Sequence, residues 1–170
     1  MTAGNDHHVA AMQTLRAVHW HLRDGFCDCL RAVSRCEGAQ SAELAGSLQI
    51  LERLVGACEA LYRAEHDTLA AIRHRPDSSW ANRDLLWGAH ALAAKALPLT
   101  RPAEPDAPSH LDSLQQYLAL FFGELLVQLH AKEAMLAEWM RHEFGASQAR
   151  ALQEELTGVL AILRPKAKLS

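Results

Sequence analysis

Between Leu111 and Arg141 the chain sets apolar side chains at intervals of three and four: Leu111, Leu114, Leu118, Phe122, Leu125, Leu129, Leu136 and Met140. That rhythm puts one apolar stripe on one face of a long helix. Such a stripe must be buried against other elements, and the Ala- and Leu-rich composition with few β-branched residues makes those elements helices too. His130 and Glu133 interrupt the stripe. Three residues apart, they are neighbours on the helix surface. An imidazole and a carboxylate at that spacing can hold one metal ion from a single helix. The plainer alternative is a core-edge histidine beside a solvated glutamate.

The rest of the chain supplies the partners. A first helix is expected from about Asp6 to Cys36, with Met12, Leu15, His19, Leu22, Phe26, Leu30 and Val33 along one side. Gly38 follows its end, and Ser41 can cap a second helix carrying Leu44, Leu48, Leu51, Val55, Cys58, Tyr62, Leu69 and Ile72. Pro76 ends it, and PDSSWANR reads as a loop. A shorter third helix runs from about Asn82 to Leu97, with Leu86, His90, Ala93 and Leu97 inward. Four prolines between Pro98 and Pro108 then force a long external connection. Gly145 breaks the fourth helix, and a last short one follows from Ser147 to Leu163, before Pro165. These elements predict one all-α domain over residues 1–170. It is an antiparallel up-down four-helix bundle (about 6–144) with an additional short C-terminal helix (about 147–163).

Composition removes several kinds of partner. A net charge of −3 gives no electrostatic reason to expect nucleic acid or an anionic membrane surface. No apolar run approaches the roughly 18 residues of a membrane span, and MTAGNDHH does not read as a signal peptide. Cys27, Cys29, Cys36 and Cys58 fit neither a CxxC zinc pattern nor a disulfide framework. They read as reduced packing residues in a cytoplasm. No Gly-rich phosphate loop, GxSxG elbow or HExxH appears, so no enzymatic activity is indicated.

The histidines fall at comparable depths. Counted from the same end of an up-down bundle, His19, Tyr62, His66, His90, His130 and Glu133 lie in a slab roughly 10 Å thick at about 1.5 Å per residue. A buried layer of imidazoles and carboxylates requires partners, because orphaned polar groups are costly. A metal ion is one such partner. Against that, His66 next to Glu65 can equally be an exposed ion-pairing residue, and Tyr62 a core tyrosine. Trp20, Trp87 and Trp139 read as core or groove packing.

Four segments then resemble the hemerythrin-like, or HHE cation-binding, domains. LRAVHWHLRDGF is similar to that family's first helix, with its histidine at His19. AEHDTLAAIRHRPD resembles the end of the second, LLWGAHAL the third with His90, and LHAKEAML the fourth-helix HxxxE segment. The resemblance implies a four-helix bundle holding a non-haem di-iron site. It also implies a role in carrying or sensing oxygen, nitric oxide or iron, or in protection against them.

The chain departs from that pattern in places that bear on the metal. Tyr62 and His66 stand where the family has a histidine and a bridging glutamate, and Leu129 stands where its fourth-helix histidine falls. Two ions need bridging carboxylates, and only Glu133 and Glu65 are on offer. The remaining set of His19, His66, His90, His130 and Glu133, with Tyr62 and Glu65 behind it, suits one divalent ion better than two. Iron or zinc fits imidazole-rich ligation; magnesium and calcium do not. The alternative is a bundle that has lost its di-iron site and serves as an interaction module, with a protein partner or a second copy of itself.

Overall fold

The computed structural model describes residues 3–35, 42–72 and 108–164. Over these residues it is helical, with α1 at Ala3–Arg35, α2 at Ala42–Ile72, α3 at Pro108–His142 and α4 at Ala146–Leu163. No strand occurs among the described residues. The helix expected at 82–97, with His90 and Trp87, lies outside them. So do the two connections around it, apart from Pro108, and Cys36. α3 begins three residues before Leu111, and the reason is local. A proline in the first turn gives up an amide that has no intrahelical acceptor there, and its fixed φ is already helical.

Short breaks separate the last two helices. The amides of Glu143 and Phe144 both donate to the Trp139 carbonyl, closing α3. Gly145 then takes an extended conformation at the start of α4, and its amide donates to the Gln148 side chain at 2.8 Å. At the far end Arg164 is extended, the conformation forced on a residue that precedes proline.

Cross-helix contacts fix the directions. Cys29 Sγ donates to the Ser47 carbonyl and Gly25 faces Leu54, so α1 and α2 are antiparallel. His8 meets the Phe144 carbonyl, Arg16 meets Glu133, and Gln115 donates to the Val33 carbonyl, so α1 and α3 are antiparallel as well. α1 is thus the shared neighbour of the other helices. Its buried line is Ala11, Leu15, Val18, Leu22, Phe26, Cys29 and Val33. α4 lays Ala149, Leu152, Leu156, Val159 and Leu163 against α1 and α2, so it completes the core rather than trailing from it.

Neighbouring helices decide how far three aromatic side chains are buried. Phe121, not Phe122, is fully buried, with its ring 5.0 Å from that of Phe26. Both positions satisfy the three-four rhythm from Leu118 to Leu125, and the aromatic partner across the core selects one. Trp20 is 51% exposed and takes the groove position rather than the core one, because the buried line of α1 runs through Val18 and Leu22. Trp139 does pack against the core. No described helix is long and apolar enough to cross a membrane.

Candidate functional site

Within this core three of the buried polar side chains, His19 of α1, Glu65 of α2 and Lys132 of α3, lie close to one another. Antiparallel packing brings the Arg16–His19 turn of α1 opposite Glu133 on α3. Arg16 Nε donates to Glu133 Oε1 at 2.7 Å, and His19 Nδ1 lies 3.7 Å from Oε2. His19 is 6% exposed, and neither of its ring nitrogens has a hydrogen-bond partner. Burial, with the Lys132 ammonium adding to it, lowers the His19 pKa to about 4, although Glu133 pulls the other way. The ring is therefore neutral near pH 7.

One residue before Glu133, the helix turns by about 100° and Lys132 points into the interior. Its Nζ donates to Glu65 Oε2 at 2.6 Å, and both side chains are buried, at 1% and 0% exposure. Burial raises the Glu65 pKa, while the charge of and hydrogen bond from Lys132 work against that rise. Glu65 Oε1 has no partner. Nearby Cys58 is buried too, and its thiol is pushed up to about 12, chiefly by desolvation. Lys132 thus acts electrostatically on three side chains of two helices: His19 of α1, and Cys58 and Glu65 of α2.

The expected ligand set is divided among these surroundings. His19 and Glu133 come together. His130 is exposed but lines the same cavity, about 320 Å³ between α1 and α3, with Arg16, Trp20 and Arg23 opposite. His66 leans on the Tyr62 ring and sits 3.4 Å from its sequence neighbour Asp67, with its side chain 37% exposed. Tyr62 itself is buried. Glu65 stands in an ion pair with Lys132. His90 lies outside the described residues. Among the described residues, no three His, Cys, Asp or Glu side chains gather closely enough to hold one ion.

The sequence pattern alone does not single out Lys132, although the signal for it is there. The stripe of α3 jumps from Leu129 to Leu136, and both Lys132 and Glu133 fall at helical spacing inside that gap. A carboxylate is the natural choice for a ligand, so the inward lysine escapes notice. Glu65 likewise lies four residues after Leu61 and three after Tyr62, squarely on the buried face.

No family model matches the chain, and no curated protein or solved structure is similar enough to it to count as a match.

Proposed function

We propose that this chain is a hemerythrin-like up-down four-helix bundle whose metal centre has given way to a buried ion pair, and that it works as a binding and interaction module in the cytoplasm. The observation that carries this reading is Lys132 Nζ lying 2.6 Å from Glu65 inside the core. A non-haem iron pair needs carboxylates whose charge is free to offset that of the metal. Here Glu65 faces an ammonium and Glu133 faces the Arg16 guanidinium. An ammonium fixed at the same level also repels any divalent ion placed beside it. The described residues do not fit a two-iron group.

A second reading has its own observation in favour. The orphaned ring nitrogens of His19, beside Glu133, are donors of the kind that one iron or zinc ion takes. In that reading His130, His66 and His90 complete the set, and a small diatomic ligand or the metal itself is what the protein senses, carries or guards against.

Metal analysis separates the two. Purified protein is expected to hold only trace iron or zinc and to melt at the same temperature with and without chelator. One ion per chain, lost in His19→Ala, together with a chelator-sensitive melt, would establish the second reading in place of the first.

A further inference from the structure

The cavity beside His19 is built for a particular chemistry. Its walls bring two guanidinium groups, Arg16 and Arg23, against one carboxylate, Glu133, which leaves one positive charge in excess. Arg16 Nε is held by Glu133, whereas Arg23 is exposed and has no ion-pair partner among the described residues. Leu126 and Leu129 give an apolar lining, and the half-exposed Trp20 forms a rim. The volume, about 320 Å³, is at the small end of the roughly 300–1,000 Å³ range of ligand pockets.

The second observation is His19 itself. It is more than nine-tenths buried, it lines this cavity, and both ring nitrogens lack a hydrogen-bond partner. Buried polar atoms in folded proteins are nearly always satisfied, and a bound molecule is one way to satisfy them. A neutral imidazole offers one donor and one acceptor.

We propose that the α1–α3 cavity binds a small aromatic carboxylate, with its carboxylate on Arg23, the free edge of Arg16 and the ring N–H of His19, and its ring between Trp20, Leu126 and Leu129. Guanidinium matches a carboxylate in a planar, two-pronged contact, and an indole face suits a flat ring. A bare inorganic anion would leave the leucines and the indole unused. A cation would meet the excess positive charge. The inference rests on the metal-free reading above, in which His19 and Glu133 are not committed to an ion.

Benzoate, benzamide and benzylamine are the probes, titrated calorimetrically into chelator-treated full-length protein. Saturable benzoate binding is expected, with benzamide weaker by about tenfold or more and benzylamine silent, the scale of one charge-assisted hydrogen bond. Arg23→Gln, at an exposed position, should weaken benzoate by a similar factor while leaving the melting temperature unchanged. Benzoate should also shift the Trp20 indole resonance, assigned by Trp20→Phe. No saturable benzoate binding through the millimolar range would overturn the proposal. Equal affinity for benzoate and benzamide, or an Arg23→Gln variant that binds benzoate as the parent does, would overturn it too. Metal content is measured on the same preparation before chelation, so a failed titration and a failed metal-free reading remain separate results.

Discussion

Two ionic contacts made by adjacent residues of α3 differ in almost everything except length. Glu133 meets Arg16 at 2.7 Å, and Lys132 meets Glu65 at 2.6 Å. The first pair is at the surface, with side chains 31% and 63% exposed; the second is sealed in the core. Water screens the first and leaves it little to gain or lose. The second has lost its water, so each charge depends on the other for its solvation. Equal distances therefore describe unequal bonds, and the difference lies in what surrounds them. It is also a difference in consequence: the surface pair tolerates disruption, while the core pair makes either partner indispensable as long as the other remains.

Breaking the core pair gives the largest expected effect. Glu65→Ala strands the Lys132 ammonium in the interior and should cost about 3–5 kcal/mol in urea unfolding. Replacing both at once, Glu65→Leu with Lys132→Met, should recover most of that loss or exceed the parent, because no charge is then left unpaired. A double variant as unstable as Glu65→Ala would mean that the pair itself holds the bundle together.

Between the two pairs stands His19, which feels Lys132 and Glu133 alike, and its titration sharpens the contrast. Its folded-state pKa, about 4, lies below its ordinary 6.5. The unfolded chain therefore takes the proton first, and stability falls as pH drops from 6.5 toward 4. The loss is about 1.4 kcal/mol for each pH unit in that window. Glu65 works in the opposite sense: with its pKa raised in the fold, the stability it lends is present at low pH and is lost as pH rises. Unfolding measured from pH 4 to 7 on the parent and on His19→Phe isolates the histidine as the difference between the curves. Parallel curves would show that His19 is not held neutral by burial.

The smallest effect belongs to the surface pair. Arg16→Ala should cost under about 1 kcal/mol, and less still at high salt. A loss several times larger would erase the distinction between the two contacts.

Much of the helical scaffold could be read in the chain, since α1, α2 and α4 carry stripes that admit one buried face and end at glycine or proline. The antiparallel setting of α3 on α1 follows from contacts that no single segment encodes. The polar residues were legible by level but not by direction. Lys132 and Glu133 differ by about 100° around the helix, and the three-four rhythm accepts both. Only the neighbouring helices decide that lysine goes in and glutamate stays at the rim. His130 illustrates the same limit from the other side, because its spacing from Glu133 holds on the surface as well as in a core.

Cys29 and Cys58 have a kinetic consequence. Burial raises their thiols to about 11 and about 12, so at neutral pH almost no thiolate exists at either position, and no reagent reaches them. Cys27, only two residues from Cys29, is half-buried, so part of its surface meets solvent. Alkylation of Cys29 and Cys58 must wait for the helices to part, at a rate set by opening when labelling is fast and by the open population when it is slow. The molecule thus carries an internal clock for its own breathing, with one thiol on α1 and the other on α2 to tell whether the two helices separate together.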